Sequence, residues 1–100
     1  MQLVEKRRDK NYLEVEVRGE GHTLCGLLVD ELLRDEHVLQ ASYWMDHPVL
    51  SPPLLRVETQ GKTPEEAIID AANRIKDNLE EFRRKFRESL EGLETKGYEA

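Results

Sequence analysis

Only one cysteine, Cys25, occurs in the 100 residues, so no disulfide can form within the chain, and the usage fits a reducing compartment. Aromatic residues make up only 6%, and no apolar run approaches the roughly 18 to 20 residues that a membrane-spanning helix requires. The start carries no apolar stretch of the secretory kind. A cytoplasmic location and no membrane contact are the resulting expectations. Basic charge is short as well: 15 Lys and Arg stand against 21 Asp and Glu, a net charge of -6. Gripping nucleic acid calls for a basic surface, so direct specific binding of nucleic acid is not expected.

Several chemistries are also missing from the motifs. There is no glycine-rich phosphate loop, nucleophile elbow or HExxH pattern. The carboxylate pairs Asp30-Glu31, Glu65-Glu66 and Glu80-Glu81 sit in charged helical faces, and no catalytic residue or cofactor is implied. His22, Cys25, His37 and His47 are the conventional soft or borderline metal ligands. His22 and Cys25 are three apart, but a zinc module needs a second close pair and none exists, so no metal is expected. His22 is read instead as ordering the turn into a helix, and Cys25 as a small apolar side chain.

What the chain does contain is the material of one modest core, with 38% apolar and 36% charged residues in a length suited to a single domain, residues 1–100. Met1 to Lys6 predicts a short strand and Arg8-Asp9-Lys10-Asn11 a polar turn. From Tyr12 to Arg18, Leu13, Val15 and Val17 alternate with Glu14, Glu16 and Arg18, the period of a sheet with one wet face. Gly19-Glu20-Gly21 breaks that strand, and Thr23 is expected to cap a helix running to about Asp35. Val38 to Met45 predicts a third strand and Leu54 to Gln60 a fourth, with Leu55, Val57 and Thr59 on one side and Arg56 and Glu58 on the other. Pro48, Pro52 and Pro53 keep the intervening segment irregular. Thr63-Pro64-Glu65-Glu66 is the strongest local signal: Thr63 as N-cap, Pro64 in the first helical position and Glu66 completing a capping box. That helix is expected to continue to about Leu90, with Gly92 and Gly97 loosening a flexible polar tail over about residues 91–100. The fold class is α+β: a two-layer ββαββα sandwich, a four-stranded sheet covered by two helices, the second of them long.

Both helices carry more apolar surface than such a sheet can hide. On the first, Leu24, Cys25, Leu27, Leu28, Val29, Leu32 and Leu33 take up well over half the circumference at 100° per residue. The second, at 1.5 Å per residue, would reach about 40 Å and project beyond a domain of this size. Yet Ile68, Ala72, Ile75, Leu79, Phe82, Phe86, Leu90 and Leu93 recur at spacings of three and four along it. A merely solvated helix would not keep two phenylalanines on one stripe. Both helices are therefore expected to build a helix-on-helix interface with a second, similarly folded subunit, through Leu24, Leu27, Leu28, Leu32, Ile75, Leu79, Phe82 and Phe86.

Motifs in combination give that partner an identity. Glu20, His22-Thr23-Leu24, Tyr43 with His47-Pro48, Leu55-Arg56-Val57 and Thr63-Pro64-Glu65-Glu66-Ala67 resemble the subunit L family of archaeal RNA polymerase, the small alpha-like dimerisation family. The resemblance covers nearly the whole chain, from the strand before Gly19 to about Phe86. It implies a non-catalytic subunit that heterodimerises with the larger alpha-like subunit, called D in archaea, the pair acting as a platform on which the large catalytic subunits assemble. Where family members usually carry Gly-Asn after His-Thr-Leu, this chain has Cys25-Gly26, so any hydrogen bond from that asparagine is lost. Two other classes share the element order. One is a free-standing homodimeric binding module or coactivator, which stripe geometry alone does not separate from a heterodimer. The other is a pterin dehydratase-like (DCoH-like) enzyme, whose adjacent histidines before a proline are replaced here by Asp46-His47-Pro48.

Overall fold

The structure is a computed structural model describing residues 1–99, with side chains described as far as Leu93. Two antiparallel hairpin-like pairs and two helices follow in the order β1 (Gln2–Asp9), β2 (Tyr12–Arg18), α1 (His22–Leu32), β3 (Val38–Trp44), β4 (Leu54–Thr59) and α2 (Pro64–Glu99). The strands form one antiparallel sheet in the order β1-β2-β4-β3. The expected α+β sandwich is therefore the fold of the chain. Alternation decides which face is covered: Leu13, Val15 and Val17 of β2 and Leu55, Val57 and Thr59 of β4 are all buried. The intervening Glu14, Arg56 and Glu58 remain partly exposed on the other face.

Four boundaries differ from the sequence reading by two residues or more, each for a local reason. β1 runs to Asp9 rather than Lys6, because it pairs with β2 along its whole length through an irregularity between Glu5 and Arg7. Its long charged side chains serve an edge strand well, since they blunt further pairing. Lys6 bonds Glu16 of β2 at 3.1 Å, and Arg8 pairs with Glu5 and with Glu65 of α2. The first helix is capped by Gly21, not Thr23: the Gly21 carbonyl accepts the Cys25 amide at 3.3 Å, and no side chain caps this end. Thr23 lies inside the first turn instead.

The same helix stops at Leu32 rather than about Asp35. Amides of Arg34 and Asp35 bond back only three residues, to Glu31 and Leu32, and tighten the last turn. The Asp35 carboxylate then accepts the His37 amide at 2.9 Å and turns the chain toward β3. At the far end, α2 runs to Glu99, beyond the expected stop near Leu90. A lone glycine costs a helix only about 1 kcal/mol, and Gly92 and Gly97 stand among strong helix formers. Of the expected tail, Ala100 and the side chains from residue 94 onward lie outside the described residues.

The start of α2 follows its sequence. Thr63 Oγ1 accepts the Glu66 amide at 3.2 Å, and Pro64 is buried at the first helical position. Just before it, Gly61 takes φ +86, where an added Cβ would come within 3.1 Å of the His37 ring. Only glycine meets both demands.

α1 packs over β3, and α2 over β4 and β2, while the two helices pack on each other. Arg74 of α2 ties them, donating to the Glu31 carboxylate at 3.1 Å and to the Glu31 carbonyl at 3.0 Å. From Lys76 onward α2 leaves the sheet, and its described residues are exposed. The molecule is accordingly 62 Å long, with a radius of gyration of 17.9 Å, against about 13 Å for a compact chain of this length. No described helix is long and apolar enough to cross a membrane.

Candidate interaction surface

Because neither helix packs substantially on β1, the covered face of the sheet is left open at that end. A groove of about 510 Å³ results. Its floor is Met1 and Leu3 of the β1 end with Val15, Val17 and Leu55. One wall is Leu24 and Leu28 of α1, and the other runs along α2 from Ile68 through Ala72 and Ile75 to Leu79. Leu3 stands opposite Val17 in the strand register, so both point to the same face. The i, i+2 spacing of Met1 and Leu3 is the signal by which β1 could have been assigned to this floor. The sequence reading placed no interface residue on a strand.

The expected interface residues separate into five groups. Leu24, Leu28 and Ile75 line the groove, half-buried or nearly buried. Leu79 closes its end and is 57% exposed. Phe82 and Phe86 lie farther out on α2, 64% and 55% exposed, with their rings stacked at 5.8 Å and 20°. They continue the groove wall as a stripe to Leu90 and Leu93, both exposed. Leu27 is exposed but does not line the groove, and Leu32 has no exposed surface and belongs to the core. Leu27 lies 100° round α1 from Leu28 and so faces away from the groove, whereas Leu32, one turn beyond Leu28, belongs to the core cluster that includes Ala67 and Ala71 of α2.

The motif residues have structural jobs at the other side of α1. His22 Nδ1 lies 3.2 Å from the Tyr43 hydroxyl, with the rings edge-on at 5.7 Å. The two motif halves, distant in sequence, thus meet and tie the start of α1 to β3. His22 bridges elements rather than ordering its own turn. Thr23 is exposed. His47 Nδ1 accepts the amides of Val49 and Leu50, each at 3.2 Å, and its carbonyl accepts the Ser51 amide, which folds the loop containing Pro48. Cys25 is fully buried in the core, and burial pushes its thiol up from its ordinary pKa. It packs as the small apolar residue the sequence suggested. An added Cβ at Gly26 would meet nothing within 4 Å, so nothing within the chain requires glycine there.

A polar cluster braces the back of this surface. Lys62 Nζ bonds Asp35 at 2.7 Å and Asp70 at 2.8 Å, joining the turn after α1 to the first turns of α2. The Lys62 ammonium and the His37 amide hold the Asp35 carboxyl well below the usual range, at about 2. These groups are satisfied within the chain and fix the angle between the helices. Their arrangement is structural, since each is consumed by its partners.

A sheet covered on one face by two helices, with an apolar groove at one end and an apolar stripe projecting on a long helix, defines a pairing module. It matches the RNA polymerase Rpb3/Rpb11 dimerisation domain over residues 12–85, and the chain belongs to that family. Among curated relatives, DNA-directed RNA polymerase subunit Rpo11 of Methanothrix thermoacetophila is 39% identical over 90 residues, covering 90% of this chain and 99% of the relative. The Thermococcus onnurineus subunit Rpo11 is 45% identical over 74 residues, covering 71% and 78%. The crystal structure of DNA-directed RNA polymerase subunit L from Thermoplasma acidophilum superposes with a TM-score of 0.81 at 29% identity, covering 94% of this chain and 93% of that one.

Proposed function

We propose that this chain is a non-catalytic subunit of DNA-directed RNA polymerase that heterodimerises with the larger alpha-like subunit, D in archaea. The pair serves as the platform on which the large catalytic subunits assemble in transcription. One observation carries the pairing: an apolar groove runs without a break into an exposed apolar stripe on a projecting helix. Leu79, Phe82, Phe86 and Leu90 are 44–64% exposed. Burying a large apolar side chain fully contributes about 1.5 to 3 kcal/mol, so the exposed half of these four is worth roughly 3 to 6 kcal/mol. Filling the groove adds to that, against the cost of association.

In this reading Leu24, Leu28, Ile75, Leu79, Phe82 and Phe86 meet the alpha-like subunit. Leu27, directed elsewhere on α1, is free for a different neighbour in the assembly, and Leu32 supports α1 from behind. No cofactor, membrane or direct specific nucleic-acid contact is required, and the location is cytoplasmic. The family match and relatives that are themselves polymerase subunits support this role.

Affinity purification from native extract, with the bound proteins identified, tests the assignment. The alpha-like and large polymerase subunits are expected; recovery of none of them overturns it. The double substitution Phe82→Asp and Phe86→Asp places charge in a surface that must lose water, and is expected to abolish pairing while the sheet stays folded by circular dichroism. Unchanged pairing would put the contact elsewhere.

A further inference from the structure

The projecting helix is not evenly charged around its stripe. At 100° per residue, Lys76, Arg83 and Arg87 fall within roughly 40° of one another along one flank, next to Leu79, Phe86 and Leu90. Lys76 and Arg83 also line the groove, as does Glu80 between them. Among the described residues Arg84 pairs with Glu88 and Lys85 with Glu81 on other sides of the helix, whereas these three exposed cations have no ion-pair partner. Between Lys76 and Arg87 the flank meets one carboxylate, Glu80, about 20° farther round, so this stretch has a positive balance on a chain whose net charge is -6; Glu91 follows one turn beyond Arg87.

We propose that Lys76, Arg83 and Arg87 select the partner: the occupant of groove and stripe is an amphipathic helix of a different chain, its apolar face edged by Asp and Glu side chains. This rests on the pairing surface of the preceding subsection. Symmetry explains why a second copy fits poorly. In a two-fold antiparallel pair each flank meets the same flank of its copy, so cations face cations. In a parallel pair the flank meets the opposite one, which carries Asn78, Lys85 and Ser89 and no carboxylate. Apolar burial supplies attraction for either partner, and the charged edge discriminates between them.

The test uses the full-length chain and its variant K76E/R83E/R87E, changed only at exposed positions. Affinity for the alpha-like subunit is expected to fall about ten-fold or more in the variant at low salt, with the gap closing at high salt as charges are screened. In sedimentation equilibrium of an equimolar mixture at low salt, the wild type is expected to pair with the variant about ten-fold more tightly than with itself. Unchanged affinity and salt dependence in the variant, with wild-type pairing intact, overturns the selector and leaves the proposed function standing. Failure of the wild type to bind the alpha-like subunit overturns the proposed function, and the mixture then decides alone: a mixed pair no tighter than the wild-type self-pair overturns the selector too.

Discussion

Leu32 and Asp35, three residues apart, show how one turn of chain divides its work. Leu32 is fully buried in the core, so Leu32→Ala is expected to destabilise the fold by about 2 to 5 kcal/mol in chemical denaturation. Leu27→Ala, at an exposed site outside the groove, should change stability by less than about 0.5 kcal/mol. Asp35 has a carboxyl depressed to about 2 by Lys62 and the His37 amide. A depressed carboxyl stabilises the folded state above its unfolded pKa, near 3.8, and that contribution is lost as pH falls toward 2. Acid unfolding of the wild type should therefore show a step between about pH 4 and pH 2. Asp35→Asn should remove it and cost about 1 to 3 kcal/mol at neutral pH, since Lys62 loses a charged acceptor. At this scale the sequence was partly legible. Cys25 as core filler followed from its type, whereas the bond between His22 and Tyr43 spans 21 positions and no local pattern announces it.

At the level of elements, the clearest signals were those in which one short stretch contains its own physics. The alternation in β2 and β4 and the Thr63-Pro64 helix start needed no distant partner. Thr63→Ala should lower stability by about 1 kcal/mol in thermal melts through loss of the Glu66 amide bond. α1 was harder to place at both ends, because its start is capped by a backbone carbonyl and its stop is set by Asp35 turning the chain. The far end of α2 was harder still. Gly92 has open space around it, so Gly92→Ala is expected to stabilise the helix by about 0.5 to 1 kcal/mol and to raise helicity in circular dichroism. A drop in helicity would mean that the glycine is needed for a bend.

The whole molecule is a short sandwich with a long arm, and its size is set by α2: at 1.5 Å per residue its 36 residues span about 54 Å of the 62 Å length. An arm of that kind cannot be stabilised by its own sheet. Phe82 and Phe86 reach past the last contacts with β2 and β4, and their only described ring contact is with each other. A chain built this way gains stability by pairing, so its melting temperature should rise with partner concentration in thermal scans. An unchanged melting temperature at saturating partner would show that pairing buries little of the arm.

Sequence alone determined that the chain has an α+β core, where its second helix begins, and that both helices carry apolar surface in excess of one sheet's needs. Those properties are local, written in periods of two and of three to four residues. Only the tertiary structure decided which of the apolar residues are spare. The order β1-β2-β4-β3 leaves β1 without substantial helix packing, which opens the groove over Leu3 and Val17. Leu32 is drawn into the core cluster with Ala67 and Ala71 of α2, while Leu28 lines the groove. The same spacing that marks a stripe does not say what covers it, because cover comes from elements distant in the chain.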